Sequence, residues 1–135
     1  MKRLLGLALI GSAFVLLPAQ INFYPPINAP TTNGSATITN GGSFQLILAA
    51  AVPSTAFPNP RHSLTVQNNN GNTDNCYVTF GSFNGTPITA GNAQTSQSIL
   101  LPPGGSFQRY YPFVPVDALF GMCQGTNDTM YLDTQ

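Results

Sequence analysis

Few side chains in this 135-residue chain have the chemistry for catalysis. There is one histidine, His62, beside two cysteines, Cys76 and Cys123, four aspartates, Asp74, Asp117, Asp128 and Asp133, and no glutamate. A Ser–His–Asp hydrolase would have to recruit His62 with Ser63 or Ser106. No serine, however, sits in a nucleophile elbow or a comparable glycine frame. Glycoside hydrolysis needs one carboxyl as acid and a second as base or nucleophile. Here Asp74 and Asp128 fall in Asn/Gly/Thr-rich stretches, where aspartate is an ordinary turn former. The alternation Asn70, Asn72, Asp74 in a glycine-containing loop is superficially like a calcium loop but lacks the terminal acidic bidentate ligand. The cysteine spacing is not CxxC, and one histidine makes no zinc set. The expectation is a protein with no catalytic residue, no cofactor and no metal.

The cysteines are read through the N-terminus. Lys2 and Arg3 precede an apolar run over 4–17 that ends at Pro18-Ala19-Gln20. A short basic region, an apolar stretch and a small residue near the end make a secretory signal peptide. The expected leader is 1–19, with Ala19 at −1 and Leu17 an imperfect −3 residue. The run is short for a membrane span, which needs about 20 residues, so no stable span is expected in the mature form. A retained N-terminal helix is the alternative. Export implies an oxidising compartment, where an even pair of cysteines forms a disulfide. Cys76–Cys123 would close a loop of about 48 residues and stabilise by roughly 4 kcal/mol. The expected localisation is secreted or periplasmic, with a virion surface as the alternative.

Composition narrows the partners. Beyond the leader about 115 residues remain, enough for one domain with a core. Its charged groups are Arg61, Arg109 and the four aspartates, a net −2. Two arginines cannot neutralise a run of phosphates, which argues against nucleic acid. Polarity comes from Asn, Thr, Ser and Gln, which suits an extracellular protein or a packed assembly.

The elements follow from alternation and turn residues. Residues 20–34 read as an extended, proline-rich lead-in, since Pro25, Pro26 and Pro30 exclude helix. Strands are expected over 35–39, 43–48, 62–68, 76–80, 98–101, 106–111 and 129–133. Asn40-Gly41-Gly42 reads as a hairpin turn between the first two. Pro102-Pro103-Gly104-Gly105 reads as another tight turn. Residues 49–60 and 81–97 read as loops, the second with Ile88 as a candidate anchor or a very short strand. Residues 116–122 fit a helical turn or a short strand. Pro112 and Pro115 confine their segment to an edge or a crossing. About seven short strands and no sustained helical period predict an all-β domain over 35–135. It would be a single β-sandwich, jelly-roll-like or immunoglobulin-like.

Phe107, Tyr110, Tyr111 and Phe113 cluster around Arg109. Alternation puts Phe107, Arg109 and Tyr111 on one face and Gln108 and Tyr110 on the other. Part of the cluster is therefore core, and part is a candidate interaction surface for a protein or a sugar.

The segments RHSLTVQNNN, DNCYVTFG, SILLPPGGSFQRYYPFVPVDALFG and DTMYLDTQ resemble a group of small alphaproteobacterial proteins. Related patterns occur in phage and prophage structural β domains. The resemblance covers about residues 61–135 and carries no catalytic residues. The leader and the neutral polar faces point to a non-enzymatic structural or adhesive module that contacts proteins or cell-surface glycans, and the phage resemblance supplies the alternative, a decoration or fibre-associated virion protein. Exposed edge strands leave room for homo-oligomers.

Overall fold

The computed structural model describes residues 32–52, 61–110 and 112–135. The leader 1–19, all but the last three residues of the lead-in, the stretch 53–60 and Tyr111 lie outside them. Ten strands are present among the described residues. They are β1 (Thr32–Ile38), β2 (Gln45–Leu48), β3 (Ser63–Asn68), β4 (Cys76–Phe80), β5 (Ser82–Phe83), β6 (Thr86–Pro87), β7 (Ile99–Leu101), β8 (Ser106–Tyr110), β9 (Leu119–Cys123) and β10 (Asp128–Thr134). One 3-10 turn spans Thr95–Gln97.

Ten strands replace the expected seven for identifiable reasons. β5 and β6 are two residues each, too short for any period to show. β9, the segment that also fitted a helical turn, is buried at all five positions. With both faces covered, a strand reads as a continuous apolar run and gives no alternation.

Eight strands form two antiparallel four-stranded sheets, ordered β1-β10-β3-β8 and β2-β9-β4-β7. The order is that of one long hairpin rolled up. β1 pairs with β10, β2 with β9, β3 with β8 and β4 with β7, so the two halves of the chain pair from the ends inward. Rolling adds the pairs β10–β3 and β9–β4.

This topology corrects the reading of the turns. Asn40-Gly41-Gly42 is no β-hairpin, because β1 and β2 belong to different sheets. It is a corner that delivers the chain from one sheet to the other. Gly42 has φ +75° and its N–H donates to the Cys123 carbonyl at 2.8 Å. A Cβ on Gly41 would lie 2.7 Å from the Gln124 carbonyl oxygen, so only glycine lets this corner sit against β9. Pro102-Pro103-Gly104-Gly105 is likewise a corner, from β7 to β8. The segment after β8, interrupted by Pro112 and Pro115, crosses from an edge strand to β9 as the prolines require.

The core lies between the sheets. Ile38, Leu64, Val66, Phe107, Met130 and Leu132 from one sheet meet Cys76, Val78, Leu101, Leu119 and Cys123 from the other. The β2-β9-β4-β7 sheet has a second apolar layer on its outer face. Phe44, Ile88, Phe120 and Met122 are buried there, with Tyr77, Ala93 and Ala118 against them. The residues between β4 and β7 form this roof. Ile88 anchors it, and Thr79 Oγ1 donates to the Gln97 carbonyl at 3.1 Å. Within the roof, β5 and β6 pair across Asn84-Gly85, both at positive φ, as a tight two-residue hairpin requires.

Candidate functional site

The two cysteines form the expected disulfide. They face one another in the β4–β9 register with Cα atoms 4.0 Å apart. The bond therefore links neighbouring strands of one sheet that chain order separates by 47 positions. Asp128 brings a carboxylate oxygen within 4.8 Å of both sulfurs, a three-residue grouping of metal-ligand type. Disulfide bonding removes both thiolates from it.

The residues weighed for hydrolysis do not assemble. His62 is half-buried just before β3, and its backbone N–H donates to the Gln135 carbonyl. Ser106 faces Gln67, at the opposite end of β3. Asp117 accepts a hydrogen bond from Ser82 Oγ at 2.8 Å, and Asp133 is exposed on β10.

Arg61 has a structural task that its sequence context did not reveal. It is buried, and its guanidinium donates to the carbonyls of Pro115 at 3.0 Å, Asp117 at 2.8 Å and Ala49. Burial pushes its pKa down from the ordinary arginine value, and the nearby Asp117 carboxylate acts against that shift. One side chain thus satisfies carbonyls from two connecting segments. The three partners lie 12, 54 and 56 positions away, so no local pattern could have marked it.

Asn68 is a second buried polar centre that the sequence reading passed over. It is fully buried at the end of β3, on the same face as Leu64 and Val66. Its Nδ2 donates to the carbonyls of Asp74 and Leu101, both at 2.9 Å, and its Oδ1 accepts from Asn72 Nδ2 at 2.6 Å. Asn72 in turn exchanges hydrogen bonds with the backbone of Thr129. The Asn-rich loop between β3 and β4 is therefore a fastening that joins both sheets, with the Asn68 and Asn72 amides satisfied as burial demands.

The aromatic cluster divides. Phe107 is core, meeting Phe80 edge-to-face at 5.7 Å between centroids. The Arg109 guanidinium carbon lies 4.6 Å from the Phe107 ring centroid, a cation–π contact at the open end of the core. Arg109 is nonetheless exposed, because β8 is a sheet edge. Tyr110 and Phe113 are 61% and 78% exposed. With Gln108 and Arg109 they line an open depression, and Tyr110 Oη donates to Gln108 Oε1 at 3.0 Å. Tyr111 lies outside the described residues.

Register extends this surface across the whole β1-β10-β3-β8 sheet. Paired residues share a face. One row reads Asn33, Asp133, Thr65, Gln108, and the next Ser35, Tyr131, Gln67, Ser106. Ser63 opposite Tyr110 and Thr37 opposite Thr129 continue the pattern at either end. All point away from the core, and all but Asp133 are uncharged. A shallow depression crosses the rows at Asn33, Thr65, Gln67, Tyr131 and Asp133. The sequence contained these alternating positions, but not which strands would lie side by side.

Among the described residues no helix is long and apolar enough to cross a membrane. No protein-family model, curated protein or solved structure matches this chain.

Proposed function

We propose that this chain is an exported, non-enzymatic jelly-roll module that acts through the open face of the β1-β10-β3-β8 sheet. The strand order supports the jelly-roll reading, since eight strands rolled as nested pairs make the two Greek keys of that architecture, which serves lectin and viral capsid domains. The observation that carries the functional reading is the composition of that face. It is a flat lattice of hydroxyl and amide side chains with Tyr131 and Tyr110 upon it, 47% and 61% exposed. Hydroxyls and amides offer both donors and acceptors, and tyrosine rings offer stacking planes. A neutral glycan presents the matching chemistry, and a polar protein surface is the second fit. The disulfide agrees with an oxidising compartment.

The test is binding of the disulfide-intact protein to neutral cell-envelope polysaccharides. Retention on such a polysaccharide, lost in Tyr131→Ala and Gln67→Ala, is the expected result. Equal retention of wild type and both variants would remove the face from the reading.

A second reading, a decoration or fibre-associated protein on a virion surface, is favoured by the same connectivity and by the resemblance to phage structural β domains. Intact mass under non-reducing conditions separates the two. A mass short of the leader and two hydrogens, free of particles, belongs to the exported module. A full-length mass in the particle fraction belongs to the virion protein.

A further inference from the structure

We infer that Asp74 and Asp128 hold a hard divalent cation, calcium by its ligand chemistry, beside the Cys76–Cys123 disulfide. The site is independent of the binding face on the opposite sheet surface. It lies where the loop before β4 meets the loop before β10.

Three observations converge. Asp128 is only 9% exposed, and its Oδ2 is buried with no hydrogen-bond partner. A Cβ built on Gly125 would collide with Asp74 Oδ2 and would come within 2.7 Å of Asp128 Oδ2, so both oxygens close on one point. Finally, the described residues contain no lysine, and the two arginines are committed elsewhere. Arg61 binds the carbonyls of Ala49, Pro115 and Asp117, and Arg109 lies over Phe107.

A buried carboxylate oxygen without a partner is strongly unfavourable, and a second carboxylate beside it adds repulsion. A bound cation relieves both. Thiolate ligands are absent because the cysteines are bonded, so the donor set is oxygen only, which selects calcium over zinc or copper. Two carboxylates set a modest affinity, with Kd about 10⁻⁴–10⁻³ M, the range of extracellular modules. This chemistry fits a protein that meets calcium outside the cell rather than one that must capture it inside.

Gly125 completes the arrangement. A Cβ there would press on both carboxylate oxygens, so Gly125→Ala displaces them without removing a ligand.

The test uses the disulfide-intact protein, stripped with EDTA and titrated with calcium chloride. Thermal unfolding should rise by about 5–10 °C at roughly 10 mM calcium. The rise should vanish in Asp74→Asn, Asp128→Asn and Gly125→Ala. Because Asp128 is buried and its variant is at risk of not folding, Asp74→Asn, in a half-buried loop position, decides the outcome together with terbium luminescence of the wild type. Terbium binding displaced by calcium in wild type and absent in Asp74→Asn supports the site. No calcium-dependent rise in wild type, or a rise kept in Asp74→Asn, overturns it.

Discussion

The outer faces of the two sheets are finished in opposite ways. The β2-β9-β4-β7 sheet is covered on its outer face by the roof between β4 and β7, which buries Ile88, Phe120 and Met122. The β1-β10-β3-β8 sheet leaves its outer face open, a lattice of Ser, Thr, Gln and Asn with tyrosines. The difference teaches where this molecule stores stability and where it can afford exposure. The covered sheet also holds the disulfide and the fully buried β9. On the outer face of the open sheet, substitutions remove contacts with solvent rather than with core.

The comparison can be broken at four levels. The largest effect is expected from the covered sheet's own staple. Replacing Cys76 and Cys123 together by alanine should destabilise by about 4 kcal/mol, read from the urea midpoint with and without reductant. A double variant that unfolds at the wild-type midpoint would show that the bond carries no stability. Next comes the roof. Ile88→Ala should cost about 3 kcal/mol, since a large buried side chain is lost with partial relaxation. Hydrogen exchange should then accelerate across 81–98 before it does so in β3 or β10. Uniform acceleration in all strands would mean that the roof is not a separate layer.

The third effect lies at the junction between the sheets. Asn68→Ala leaves the Asp74 and Leu101 carbonyls and the Asn72 amide without their partner. The expected loss is about 2–3 kcal/mol, measured by chemical denaturation, and Asn68→Leu should not restore it. The smallest effect belongs to the open face. Tyr131→Ala should change stability by less than about 0.5 kcal/mol, while abolishing glycan retention. A stability loss comparable to that of Ile88→Ala would erase the distinction between the faces.

Much of the local structure was legible. The alternation of Leu64 and Val66 identified β3 and its inward face, and both side chains are fully buried. Cys76, Val78 and Phe80 point to the core as the better of two alternatives required. Pro112 and Pro115 confined their segment to an edge or a crossing, and it crosses from β8 to β9 in the other sheet. Ile88 was visible as an anchor because it is an isolated large apolar residue in a polar loop. The even cysteine pair predicted its own bond, though not that the two residues face each other across adjacent strands.

Other features were invisible for reasons that can be stated. β9 stayed open between a helical turn and a short strand because a strand covered on both faces has no alternation. The buried roles of Arg61 and Asn68 hid because polar residues are ordinarily exposed, and their partners are distant in sequence. The aromatic cluster was only half legible. Period two separates Phe107 from Tyr110, but it puts Arg109 inside with Phe107, whereas the sheet edge leaves Arg109 exposed over the ring.

The sequence by itself determined seven of the short strands, the all-β class, the positions of the corners and the disulfide pair. These depend on side-chain alternation, on proline and glycine backbone limits, and on there being only one cysteine pairing to make. The tertiary structure alone decided what each corner connects. A glycine turn reverses the chain in the same way whether the next strand pairs with the last one or crosses to the other sheet. Pairing depends instead on which distant strands bury their apolar faces together. The same long-range pairing assembled the open lattice from four strands and brought the Asp128 carboxylate, 54 positions along the chain, up to Asp74.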